Sequence, residues 1–94
     1  MRWDWGRDKA AANRAKHGLS LETAALVFDD AFHTSKPDPH PDGDRWHTIG
    51  LVGSVLLLAV HTWPDEEGNE PVGRIISARK ATARERKAYE EGSI

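Results

Sequence analysis

The chain has 94 residues, a formal net charge of −2 and no cysteine. This length suits one small domain with one modest core, so residues 1–94 are treated as a single domain. The lack of cysteine excludes a disulfide framework, a zinc–thiolate site and a thiol nucleophile. No apolar run approaches the roughly 20 residues that span a membrane, and the N-terminus lacks the apolar stretch of a signal peptide. We therefore expect a cytoplasmic protein with no membrane contact.

Charge is distributed unevenly along the chain. Cations predominate in residues 7–17 and 74–89, whereas acidic residues are concentrated in 29–44 and 65–70. The net charge argues weakly against a nucleic-acid binder. Local fields govern binding more than the total charge does, so a basic face beside acidic loops could still bind RNA or DNA.

The N-terminal half predicts a strand followed by two helices. Residues 2–5 alternate as a short strand, and the Ala-rich residues 7–17 predict a helix that ends at Gly18. Ser20 is a suitable N-cap for a second helix, from Leu21 to about Asp29. The apolar face of that helix consists of Leu21, Ala24, Ala25 and Phe28.

The middle of the chain predicts a hairpin. Residues 45–52 alternate, Gly53-Ser54 forms a tight turn, and the strongly apolar residues 54–63 form a central strand. One face of the first strand is expected to carry Arg45, His47, Ile49 and Leu51. The sequence leaves open whether an additional short strand forms around Phe32 to Ser35. The loop 37–44 and an acidic connector from Pro64 flank the hairpin.

The last third of the chain joins a strand to a basic helix. Ile75 and Ile76 favour a strand, Thr82 with Glu85 forms a capping box that begins a helix, and Gly92 suits the helix end. The segment carries the cations Arg74, Arg79, Lys80, Arg84, Arg86 and Lys87. These side chains suit a polyanion, and Lys80, Arg84 and Arg86 are candidate RNA contacts. The alternative is an ordinary solvated helix face.

These elements predict an α+β fold in the order β-α-α-β-β-β-α, with the short strand near Phe32 as an optional addition. Hairpin connections imply a small antiparallel sheet. We expect the helices to pack on one face and leave the other partly open.

Histidine and the cations are the side chains that could carry chemistry. His61 ends the central strand, and His47 holds a comparable position on its neighbour. A histidine can act as general base or acid, and cations can stabilise charge that develops on a phosphate. Cleavage of RNA by a histidine base together with such cations needs no cofactor. A hydrogen-bonded structural histidine is the competing interpretation of His61, and His33 and His40 show no metal-ligand spacing.

Three stretches of the sequence resemble the BrnT family of ribonuclease toxins from bacterial type II toxin–antitoxin systems. They are KAAANRAKHGLSLETAALVFDD, DRWHTIGLVGSVLLLAVHT and RIISARKATARERKAYEEG. The resemblance extends from Trp5 to Gly92. The residues that carry it most specifically are Lys16-His17-Gly18, Phe28-Asp29, Arg45, Ile49-Gly50, the RIISAR stretch with Ala81, Glu85-Arg86 and Tyr89.

The resemblance implies a RelE-like fold and an RNA substrate whose cleavage blocks translation. It also implies a BrnA-like ribbon-helix-helix antitoxin as a partner. The complex of the two proteins would bind DNA, and it would do so only through the antitoxin. The candidate catalytic residues are His61, Arg79, Arg74, Tyr89 and Lys16. His17 and Arg45 are candidate RNA contacts, and no metal or other cofactor is expected. The capping box is a sufficient structural explanation for Glu85.

Two other classes of function remain open from the sequence. One is a non-catalytic nucleic-acid- or partner-binding module, as a degenerate toxin would be. The other is a structural subunit whose basic face docks an acidic partner. Convergence of His61, Arg79 and Arg74 on one exposed cleft would favour the enzyme, and their separation would favour the binding module.

Overall fold

The computed structural model describes residues 2–39, 44–63 and 71–92. Its elements are β1 Arg2–Asp4, α1 Arg7–His17, α2 Leu21–Ala24, a 3-10 helix Ala25–Asp29, β2 Thr34–Pro37, β3 Trp46–Val52, β4 Val55–His61, β5 Val72–Lys80 and α3 Ala83–Glu91. The optional strand is therefore present, slightly later than expected. Residues 40–43 of the predicted loop and 64–70 of the acidic connector lie outside the described residues. No helix in the described part of the chain is long and apolar enough to cross a membrane.

The five strands form one sheet in the order β1-β5-β4-β3-β2. Neighbouring strands from β2 to β5 are antiparallel, as predicted. The prediction is wrong for β1, which runs parallel to β5. That prediction used the hairpin rule, which governs strands joined by short turns. Nearly the whole chain separates β1 from β5, so no turn fixes their relative direction.

The first face of the sheet is covered by α1, α2 and the 3-10 helix, and we call it the α1 face. Leu21 and Ala24 pack against Ile75 and Ala78 of β5, and Val27 packs against Leu57 and Ala59 of β4. The backbone approaches closely here, because a Cβ at Gly50 would lie 2.5 Å from the Val27 carbonyl oxygen. A glycine is therefore needed where the 3-10 helix crosses β3.

The second face is partly covered by α3, and we call it the α3 face. Ile49, Leu56 and Leu58 are buried there, with Ala81 and Tyr89 packed against them. The expectation that all helices share one face is therefore wrong. Since successive strand residues point to opposite faces, the unbroken apolar run of β4 requires cover on both sides.

The predicted helix ends are largely confirmed. Ser20 accepts a hydrogen bond from the Thr23 N–H, and Thr82 with Glu85 forms the complete capping box. Gly18 and Gly92 end their helices in the left-handed conformation, with φ of 69° and 70°. The second helix is α-helical only to Ala24 and then tightens into the 3-10 helix.

Candidate nucleic-acid interface

The half of the α3 face that no described helix covers carries polar and basic side chains. Register places Lys36 of β2, His47 of β3, Val60 of β4 and Ser77 of β5 in one row across the sheet. Because side chains in register share a face, this row, which is polar except at Val60, forms a strip beside the apolar residues under α3; we call it the polar strip. Strand alternation adds Arg45, which directly precedes β3, to the same face, as the sequence predicted.

Two arginines of β5 border this strip. Arg79 lies in register with Leu58 and so belongs to the α3 face. Arg74 is exposed and stands between Gly73 and Ile75, which are both buried on the α1 face. Its guanidinium reaches Gly6, where a Cβ would lie 3.0 Å from Nη2. Arg84 of α3 and Lys36 line a groove of about 300 Å³ beside the strip.

Arg79 is held by a bidentate ion pair with Glu85. Its Nη1 and Nη2 donate to the two carboxylate oxygens of Glu85 at 2.7 and 2.9 Å. The hydrogen bond from Arg79, with further help from Thr82, lowers the pKa of Glu85 to about 2. The guanidinium side chain remains 37% exposed. It can therefore contact an external anion with donors that the carboxylate does not use.

A second basic cluster lies between α1 and the outer edge of β5. Lys9, Lys16 and His17 line a groove of about 240 Å³ whose far wall includes Ser77. Ser77 also belongs to the polar strip on the α3 face, so the groove and the strip meet at this residue. We call the residues of the groove, the strip and the bordering arginines together the basic track; it comprises Lys9, Lys16, His17, Lys36, Arg45, His47, Arg74, Ser77, Arg79 and Arg84.

His61 is separated from the basic track. It is fully buried on the α1 face, in edge-to-face contact with the rings of Trp3, Phe28 and Trp63. Its Nδ1 donates to the Thr62 carbonyl at 3.0 Å, so Nε2 accepts from the Thr48 hydroxyl at 2.6 Å. Burial lowers the pKa of His61 below 6.5. These contacts match the structural alternative, and His61 does not converge with Arg74 and Arg79.

Tyr89 is also engaged within the fold. Its hydroxyl donates to the carboxylate of Asp30, which also accepts hydrogen bonds from the backbone N–H groups of Leu51 and Phe32. Partial burial raises the pKa of Asp30, but the hydrogen bonds from Tyr89 and the backbone outweigh it and lower the pKa below 3.8. The bond to Asp30 raises the pKa of Tyr89 above 10. The geometry therefore gives Tyr89 a tethering role.

The remaining candidate RNA contacts, Lys80 and Arg86, lie beside the basic track. Lys80 is exposed and in register with Leu57, which is buried on the α1 face. Arg86 is exposed on α3 and does not line the groove that Arg84 borders. The described residues contain no group of three or more His, Asp or Glu side chains placed to hold a metal ion.

Sequence reasoning missed three polar residues that organise the site. The buried side chain of Asn13 accepts a hydrogen bond from the Ala78 N–H and donates one to the Leu19 carbonyl. It thereby gives a backbone N–H of β5 a hydrogen-bond partner. Asp30 links three segments. Asp38 contacts His47 at 3.1 Å. In the sequence, the only sign of the role of Asn13 was a single polar residue among the alanines of α1. The roles of Asp30 and Asp38 had no such sign, because their partners are distant in the chain.

A small α+β fold in which the described part of one sheet face carries cations from several elements is suited to binding a nucleic-acid backbone. The comparisons with known proteins are more specific. The family model for the ribonuclease toxin BrnT of type II toxin–antitoxin systems matches residues 5–85. The 1.1 Å crystal structure of the Brucella abortus ribonuclease toxin BrnT has a similar fold, with a TM-score of 0.65 over 87% of this chain and 97% of that chain at 21% identity. No curated protein matches the chain.

The chain belongs to the BrnT family of ribonuclease toxins, because the family model covers most of its length. The family resemblance identified from the sequence is thus confirmed, together with the α+β fold. Membership implies an RNA target and an antitoxin partner.

Proposed function

We propose that the chain is a metal-independent endoribonuclease that binds RNA along the basic track and inhibits translation by cleaving it. The observation that carries this proposal is the position of Ser77, which lines the groove beside the cations of α1 and also lies in the polar strip on the α3 face. Phosphate groups spaced along a strand would contact several of these cations at once.

Within this proposal the cations divide by position. Arg45, Arg74, Arg79 and Arg84 bind phosphates on the sheet side, and Lys16 and His17 bind them at the groove. Arginine is suited to this task because its planar fork pairs with two phosphate oxygens. Lys80 and Arg86 contribute long-range attraction from the margins. His61 and Tyr89 support the fold and do not touch RNA.

The chemistry is transesterification within the RNA. A base takes the proton of a 2′-hydroxyl, and that oxygen attacks the adjacent phosphorus, with cations stabilising the added negative charge. This path leaves a 2′,3′-cyclic phosphate and a 5′-hydroxyl. It uses the RNA's own nucleophile, so it does not need a metal-activated water.

We further propose that residues 1–94 form a single RelE-like toxin domain that acts in the cytoplasm, where its messenger RNA substrates are translated. Its antitoxin would be a BrnA-like ribbon-helix-helix protein, and only the complex would bind DNA. Family membership supports the antitoxin partner, and the ribbon-helix-helix type is an expectation from the resemblance.

RNA cleavage in excess chelator tests the metal-independent mechanism. We expect the purified chain to cut RNA under these conditions and to leave 2′,3′-cyclic phosphate ends. Activity that disappears in chelator, returns with Mg²⁺ and leaves 5′-phosphate ends would contradict the mechanism. In a bacterial host, induction of the chain alone should stop growth and lower bulk translation, and co-expression of its antitoxin should restore both.

A non-catalytic RNA-binding module is the second candidate, and the separation of His61 from Arg74 and Arg79 favours it. That module would bind single-stranded RNA with a strong salt dependence and leave it intact. Binding and cleavage measured on one preparation distinguish the two candidates.

A further inference from the structure

The proposed reaction requires a general base on the basic track, and three side chains that could serve as a base are used elsewhere. His61 is buried on the opposite face with both ring nitrogens hydrogen-bonded. The Tyr89 hydroxyl is bonded to Asp30. His33 bonds through Nδ1 to the Asp30 carbonyl and lines a different, aromatic pocket. Of the two histidines on the basic track, His17 lines the α1 groove and His47 lies within the polar strip between Lys36 and Val60.

His47 is held in place by its neighbours. Its Nε2 lies 3.1 Å from Oδ2 of Asp38, and the two side chains are 24% and 21% exposed. Because a carboxylate can only accept, Nε2 donates to Asp38, and in the neutral imidazole the lone pair is then on Nδ1. Nδ1 makes no hydrogen bond to the described residues. This is the arrangement in which a carboxylate orients a histidine base.

The charges around His47 suit a phosphate. Lys36 lies directly opposite His47 across β2 and β3, and Val60 lies opposite on β4. Arg45 is two residues away on the same face, and Ser77 continues the row on β5. A phosphate placed between Lys36 and Arg45 would bring an adjacent 2′-hydroxyl over the imidazole.

We propose that His47 is the general base of RNA cleavage and that Asp38 is its positioning residue. This inference rests on the proposed ribonuclease function. The 2′-hydroxyl gives its proton to Nδ1 of His47 as its oxygen forms a bond to phosphorus. The bond from phosphorus to the 5′-oxygen then breaks, and that oxygen takes a proton from water. The imidazolium finally returns its proton to solvent.

The test uses the full chain and a 5′-labelled mixed-sequence single-stranded RNA that the wild-type protein cuts. His47→Gly should lower kcat by about 10²- to 10⁴-fold, the range of general-base catalysis, with little change in RNA affinity. Added imidazole should restore part of the lost rate, because it fits the space left by the side chain. Asp38→Asn should lower kcat with an unchanged KM, because the base then loses its orientation.

The matched control is His33→Ala, which removes a histidine outside the basic track. It should keep wild-type activity and show no response to imidazole. If His47→Gly fails to fold, His47→Gln replaces it, because glutamine keeps the polar side chain without a base of suitable strength. A folded His47 variant with wild-type kcat, or a loss that imidazole does not relieve and that follows RNA affinity, would overturn the proposal. Failure of the wild-type chain to cut any RNA would instead contradict the proposed function.

Discussion

His61 shows at the residue scale how burial decides what a histidine can do. The ring is enclosed by aromatic side chains and forms a chain of hydrogen bonds in which Thr48 donates to Nε2. Since Thr48 gives its only proton to His61, the Ser35 hydroxyl must donate to Thr48 at 2.7 Å. The histidine thus links β4, β3 and β2 and fixes their polar interior.

We therefore predict that His61→Ala destabilises the fold by about 3 kcal/mol, because it leaves a cavity and an unpaired Thr48 hydroxyl. The folded fraction should keep its RNA-cleavage activity per molecule. Denaturant unfolding and cleavage kinetics on one preparation measure both quantities. Full stability with lost cleavage would restore the catalytic interpretation of His61.

The same burial makes stability depend on pH. Because the pKa of His61 is lowered from 6.5 in the folded chain, the unfolded chain binds this proton more readily. Stability should accordingly fall as pH drops below 6.5, and the fall should be smaller in His61→Ala. Unfolding free energies at pH 7 and pH 5 would show the difference.

Arg79 combines a structural contact with an exposed charge. Its ion pair lowers the pKa of Glu85 from 4.5 to about 2, so the pair contributes stability above pH 4.5 and loses it as pH falls toward 2. Water screens this partly exposed pair, and we expect Arg79→Ala to cost about 1 kcal/mol at neutral pH.

The functional prediction for Arg79 is independent of that cost. If Arg79 contacts the scissile phosphate, Arg79→Ala should lower the cleavage rate about a hundredfold, and Arg79→Lys should restore only part of it. Glu85→Gln is the matched control, because it removes the same ion pair and leaves the guanidinium. Equal activity losses in Arg79→Ala and Glu85→Gln would show that the pair acts only through the fold.

At the scale of elements, α3 differs from the other helices in how it is held. None of its residues is fully buried, so polar links position it: the capping box at its start, the Arg79–Glu85 pair, and the hydrogen bond from Tyr89 to Asp30 near its end. Such a helix opens at lower cost than one with a buried face.

Tyr89→Phe tests this account, because it removes the hydroxyl and keeps the ring that packs against Ile49 and Leu58. We expect a global loss of about 1 kcal/mol or less and faster amide hydrogen exchange confined to α3. Exchange in β4 should remain slow, which provides an internal control. A variant with unchanged exchange in α3 would show that the hydroxyl does not hold the helix.

At the scale of the whole molecule, the arrangement of charge matters more than its sum. The net charge is −2, yet cations of α1 line one groove and cations of β2 and α3 line another, and the first groove shares Ser77 with the polar strip. Long-range attraction depends on this local field, so RNA binding is compatible with an acidic protein.

Salt dependence gives the corresponding prediction. If Lys16 neutralises one phosphate of a bound single strand, Lys16→Gln should reduce the slope of log affinity against log salt by about 0.7. Lys87→Gln is the matched control, since it removes the same charge from a residue outside the basic track. A similar change of slope in both variants would indicate that RNA affinity depends only on the net charge of the protein.

The sequence by itself determined the local structure and the family. Helix ends followed from Ser20, Thr82 and the terminal glycines, because caps depend on neighbouring residues. The faces of β3 followed from alternation, which is also local. The ordered motifs from Lys16 to Tyr89 identified the family without any structure.

Only the tertiary structure decided the parallel pairing of β1, the placement of α3 on the second face, and which candidate residues meet. Alternation indicates that His61 and Arg79 each point to one face of their own strand. It does not show how the two strands pair, because a one-residue irregularity in the β4–β5 register is invisible in sequence. Likewise, Asp38 reaches His47 and Asn13 reaches Ala78 only because the fold brings them together. Contacts between chain-distant polar groups depend on global packing, so the candidate site could be listed from the sequence but assembled only in three dimensions.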